Sequence, residues 1–114
     1  MGARNRHIAL AEAVRAYLDE HTESRVTLQQ LETIFHASGT QIKKTYKARF
    51  GESLYADTRA RKMRSAAALL RTTDLTVLEV AGRFGYDNAS KFASAFRAVL
   101  GASPTEYRQT ETEP

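Results

Sequence analysis

Apolar residues recur at i, i+3, i+4 and i+7 along most of the 114-residue chain, the spacing of one helix face rather than the alternation of a strand. Proline stands only at positions 104 and 114, so nothing breaks the earlier helical windows. The pattern predicts an all-α fold. A first helix is expected from about Arg6 to Glu20, with Leu10, Val14, Tyr17 and Leu18 on its inner face and Arg15, Asp19 and Glu20 on its outer one. Another is expected from about Leu54 to Arg71, started by Ser53 and apolar along Tyr55, Met63, Ala66, Ala67 and Leu70.

Two further starts carry the same device. Thr27-Leu-Gln-Gln30 and Thr76-Val-Leu-Glu79 both have the form of a capping box, in which the threonine accepts from a free amide of the new helix and the residue three places on reaches back. The likeness extends into a repeat. Thr27, Gln30, Leu31 and Phe35 match Thr76, Glu79, Val80 and Phe84 at a spacing of 49. Ile42, Tyr46, Lys47, Gly51 and Ser53 then match Phe92, Phe96, Arg97, Gly101 and Ser103 at a spacing of 50. One residue is gained inside the second turn.

In the second copy Val80, Ala81 and Phe84 form the inner face of a helix that stops at Gly85, where a left-handed residue is wanted. Ala81 is small enough for the next helix to pass close by, Asp87 or Asn88 can cap that helix, and Phe92, Phe96 and Val99 form its inner face. This is the logic of a helix-turn-helix, whose second helix enters the DNA major groove. With Phe96 inward, Ser90, Lys91, Ser94, Arg97 and Ala98 face out. In the first copy, with Tyr46 inward, Thr40, Gln41, Lys44 and Lys47 face out and Lys43 lies on the flank. Lysine suits guanine acceptors or phosphate, glutamine suits adenine, and serine or threonine suits either.

Composition narrows the choice. The chain is too short for a large enzyme core and fits one domain or two very small ones sharing a helix. It has no cysteine, which removes disulfides, thiol nucleophiles and zinc fingers. Its three histidines, His7, His21 and His36, are scattered, with no metal-ligand pair, phosphate loop or nucleophile pattern. Neither an enzyme nor a metal or cofactor site is expected. No apolar run approaches the length of a membrane span, and the start lacks a signal-peptide stretch, so a cytoplasmic setting is expected. The net charge of +4 is unevenly spread: residues 27–108 hold thirteen lysines and arginines against seven acids, and the tail from 109 on adds two acids. That surplus suits a polyanion.

The stretch from Thr27 to Arg108 resembles the DNA-binding module of AraC/XylS-type bacterial transcription regulators. The C-terminal half carries the resemblance best, through Ala81, Gly85, Tyr86, Phe92, Phe96, Gly101, Ser103, Pro104, Tyr107 and Arg108. It implies about seven helices, with two helix-turn-helix units joined by a long helix that begins near Leu54. It also implies that both second helices enter successive major-groove segments, about 34 Å apart. The expected organisation is 1–52 for the N-terminal helix and first unit, 53–72 for the linking helix, 73–108 for the second unit and 109–114 for an acidic flexible tail. Rigid spacing by the linking helix is expected.

By position, the resemblance makes Thr40, Lys43 and Lys44 base-facing in the first unit, beside Gln41 from the helical wheel, and Ser90, Lys91 and Ser94 in the second. Lys47 and Arg97 are implied as phosphate contacts, with Arg61 on the linking helix as a further candidate; Ala81, Gly85, Phe92, Phe96 and Pro104 are structural. The family usually has a small residue where this chain has Glu32, and often glycine where it has His36, the positions that set the closeness and turn of the helices. The exposed side chains of the second unit are short, so little base discrimination is expected there. Implied partners are double-stranded DNA at the bacterial nucleoid and RNA polymerase. The effector-sensing domain of longer members is expected to be absent or removed. The competing reading is a helical protein–protein adaptor whose basic faces are only solvated surface.

Overall fold

The computed structural model describes residues 2–112, with side-chain surroundings for residues 5–109. Along these residues the chain forms seven helices and no strand: α1 (Gly2–Glu20), α2 (Leu28–Phe35), α3 (Gly39–Phe50), α4 (Leu54–Thr72), α5 (Val77–Arg83), α6 (Ala89–Leu100) and α7 (Pro104–Thr112). α7 thus runs into the segment expected to be a tail; the last two residues of that tail lie outside the described residues. No described helix is long and apolar enough to cross a membrane. The chain divides into two compact units, the first made of α1 and Arg25–Thr58, the second of Thr22–Ser24 and the chain from Arg59 on. The helix α4 is shared, its first turn belonging to the first unit and the remainder to the second.

In the first unit Val14 and Leu18 of α1, Leu31 of α2, and Ile42 and Tyr46 of α3 make the core, with Leu10, Tyr17, Phe35 and Phe50 packed around it. The inner face expected for α1 is the one observed, and Ala11 joins it. Arg15, expected outside, is instead half-buried: its guanidinium meets both oxygens of Asp57 at 3.2 and 3.3 Å and lies 3.9 Å above the Phe50 ring. The Tyr46 hydroxyl donates to the same carboxylate, which is almost wholly buried at 2% exposure. Burying a carboxyl group is costly unless partners replace the lost water, and a guanidinium and a phenol do so here. Burial, and then the bond to Asp57, push the Tyr46 phenol well above its usual value of 10.0.

In the second unit Met63, Ala66, Ala67 and Leu70 of α4 pack against Val80, Ala81 and Phe84, and against Phe92, Ala95 and Phe96 of α6. Tyr55, expected on the apolar side of α4, is 74% exposed; it lies in the first turn, before the stretch of α4 that packs in the second core. Phe96 meets the Tyr107 ring edge-on at 5.5 Å. From α7, Arg108 donates to Leu70 O at 3.0 Å, a carbonyl that the end of α4 leaves open, and to Thr73 O at 3.2 Å just beyond it.

Candidate nucleic-acid interface

Each unit contains a capped pair of helices, α2 and α3 in the first and α5 and α6 in the second, and local chemistry sets both pairs. Thr27 and Thr76 accept from the amides of Gln30 and Glu79, whose side chains accept in return from the threonine amides. The Glu79 carboxyl is held below its usual range, first by the Thr76 amide and then by the Thr76 hydroxyl. Ser103 and Glu106 build a third box that the sequence reading missed, although its Ser-x-x-Glu spacing was there to find. Ser53 caps α4 as expected, accepting from Ala56 N at 3.1 Å.

The hinges share one bonding pattern. Ala37 N donates to Glu32 O at 3.4 Å and Tyr86 N to Ala81 O at 3.0 Å, each spanning a left-handed residue: His36 at φ 51° and Gly85 at φ 86°. α5 itself stops at Arg83, two residues before Gly85. Of the two candidate caps of α6, Asn88 takes the role, its side chain accepting from Lys91 N at 3.1 Å. Ser38 does the same for α3 through Gln41 N. Glu32, at the position the family usually leaves small, does not disrupt the turn. Its carboxylate accepts from Gly39 N at the free end of α3, where an acid is favoured by the unpaired amides. A Cβ at Gly39 would stand 2.7 Å from Leu28 Cδ2 and 3.1 Å from Glu32 Oε2, so a larger residue there would require both of those side chains to shift.

These hinges put Ile42 and Tyr46 inward on α3, and Phe92 and Phe96 inward on α6, all without exposure. The opposite faces emerge as expected: Thr40, Gln41, Lys43, Lys44 and Lys47 are exposed on α3, and Ser90, Lys91, Ser94, Arg97 and Ala98 on α6. Neither helix contains an acid. Among the described residues no acid pairs with Lys43, Lys44, Lys47 or Lys91, whereas Arg97 lies 3.7 Å from Glu106. Arg61 is half-buried on α4. Ala81 and Pro104 are buried, and no group of described residues could hold a metal ion. The sequence reading also missed the link from Arg49 of α3 to Glu12 of α1 at 2.8 Å, which joins residues too far apart in the chain for spacing to reveal.

A capped helix, a left-handed hinge and a second helix with an acid-free outer face thus occur twice. The family model described as a helix-turn-helix domain matches residues 31–110. The chain belongs to this AraC-type helix-turn-helix family. Among its relatives, the MmsAB operon regulatory protein of Pseudomonas aeruginosa is 32% identical over 98 residues, covering 86% of this chain and 32% of the relative. The chain therefore spans about a third of the length of that relative. The C-terminal domain of AraT, a response regulator from Geobacillus stearothermophilus, superposes with a TM-score of 0.86 at 29% identity, over 92% of this chain and 88% of that one. The DNA-binding domain of AdpA, a global transcriptional factor solved in complex with a target DNA, gives 0.80 at 30% identity over 89% and 90%.

Proposed function

We propose that the chain binds double-stranded DNA sequence-specifically as a bacterial transcription regulator, with α3 and α6 entering successive segments of the major groove. The observation that carries this reading is the outer face of α3. Three exposed lysines without acid partners, with Thr40 and Gln41, lie on the second helix of a capped and hinged pair. A solvated surface does not require such segregation of charge, whereas a phosphate-lined groove rewards it. In this reading Thr40, Gln41, Lys43 and Lys44 face bases in the first segment, and Ser90, Lys91 and Ser94 in the second, where the shorter side chains discriminate less. Lys47, Arg97 and Arg61 meet phosphates. The similarity to a DNA-binding domain solved on its target supports the same assignment. RNA polymerase is the further partner, and the cytoplasmic nucleoid the place of action.

The test is selection of bound duplexes from a random pool, followed by salt titration of the winner. The expected product is a consensus of two blocks about one helical turn apart. Between 50 and 200 mM salt the affinity is expected to fall by about three orders of magnitude or more if several phosphates are neutralised. A protein-binding adaptor would enrich no consensus, and its partner affinity would be nearly indifferent to salt.

A further inference from the structure

Beside the outer face of α3 runs a groove of about 800 Å³ whose far wall is the start of α1. His7 and Ile8 line it on the α1 side, Thr40, Gln41, Lys44 and Ala48 on the α3 side, and no acid is among its lining residues. The two helices share the core of Val14, Leu18, Ile42 and Tyr46, and the exposed Arg49–Glu12 bridge links them as well. Ile8 is 37% exposed, with Ile34, Tyr55 and Leu78 the other exposed large apolar residues among those described.

We propose that α1 is part of the DNA interface, with His7 and Ile8 holding the strand that borders the base pairs α3 reads. The proposal rests on the reading of α3 given above. Thr40, Gln41 and Lys44 are base-facing residues of that reading and also form one edge of the groove, so a strand they read passes its mouth. A sugar–phosphate strand presents apolar deoxyribose faces between anionic phosphates. The groove offers the matching surface: Ile8 and Ala48 for a sugar, and an imidazole N–H of His7, available in either tautomer, for a phosphate oxygen. Nothing in the helix-turn-helix pair itself supplies this wall, because α1 lies outside both repeats.

Phosphate-ethylation interference and fluorescence anisotropy on a duplex selected from the random pool test the assignment in the full chain. For His7→Ala the expected results are a loss of affinity of about three- to tenfold, the scale of one hydrogen bond, and disappearance of interference at one phosphate bordering the first block. Ile8→Ser is expected to weaken binding without removing any phosphate from the pattern. His7→Glu is expected to weaken it further than His7→Ala, and unchanged melting of these surface variants checks the fold. Parental affinity and an unaltered phosphate pattern in His7→Ala would overturn the proposal. Lys44→Ala separates the two readings: if it weakens binding while His7→Ala does not, only the role of α1 falls. If neither matters, the placement of α3 falls with it.

Discussion

The two units solve one packing problem with opposite chemistry. Where the second helix of each pair meets the helix that follows it, the second unit places Phe96 against the Tyr107 ring. At the matching positions the first unit places Tyr46 and Asp57, joined by a hydrogen bond and completed by Arg15 from α1. The hinges differ in the same spirit. The second unit uses Ala81 and Gly85; the first puts Glu32 and His36 there, spending the acid on the amide of Gly39 and holding the histidine in a left-handed turn. An apolar contact tolerates imprecise neighbours, whereas a buried polar cluster holds only if every member is present. The first unit is therefore the more specified of the two, and it also carries the denser set of unpaired lysines.

Breaking each core should show the difference. Phe96→Ala is expected to cost about 3–5 kcal/mol by leaving a cavity, measured by chemical denaturation. A variant as stable as the parent would show that Phe96 is not interior. Asp57→Ala leaves the Tyr46 hydroxyl and a half-buried guanidinium without their acceptor, with an expected loss of about 3 kcal/mol. In an Arg15→Met background that loss should shrink, since the cation is no longer stranded; equal losses in both backgrounds would mean the three groups do not act together.

The hinges give smaller, signed effects. Gly39→Ala drives a methyl against the ends of the Leu28 and Glu32 side chains, which can shift, and is expected to cost no more than about 1 kcal/mol after the gain in helix propensity. Adding Glu32→Ala should recover part of it, because the second unit carries the compatible pair Ala81 and Ala89. His36→Gly is expected to stabilise the protein by about 1 kcal/mol by removing the left-handed penalty; a drop in melting temperature would contradict that.

Proton linkage separates the units at opposite ends of the pH scale. The Tyr46 pKa is raised in the fold, so its contribution is complete below the usual 10.0 and is lost as pH climbs above that value. Glu79 is depressed by the Thr76 cap, and Glu106 by the Ser103 amide, then its hydroxyl, then Arg97. Their contributions are present above the usual 4.5 and are lost as pH falls through the depressed values. Gln30, the counterpart of Glu79 in the first unit, does not titrate. Residue-resolved amide exchange is expected to show alkaline loosening in the first unit that Tyr46→Phe abolishes, and acid fraying of α5 that Glu79→Gln abolishes. The reverse assignment would refute the account.

Local rules made much of this molecule readable. The capping boxes at Thr27 and Thr76, the left-handed turn at Gly85, the inward Phe92 and Phe96 and the outward faces of α3 and α6 each follow from residues within one or two helical turns. Helical periodicity fixes which side chains share a face whatever the neighbours are. The choice of Asn88 over Asp87 was not legible, because both can cap and only the backbone path selects one. Nor was the position of Tyr55, whose place on an apolar stripe says nothing about whether a partner reaches it.

The sequence by itself determined the helices, their ends, the doubling of the motif and the polar faces, since these arise from interactions between residues a few places apart. Only the tertiary structure decided that Arg15 turns inward to Asp57, that Glu32 reaches the amide of Gly39, and that His7 and Ile8 stand beside the outer face of α3. Such contacts join residues distant in the chain, where side-chain identity is set by the geometry of the fold and leaves no periodic trace.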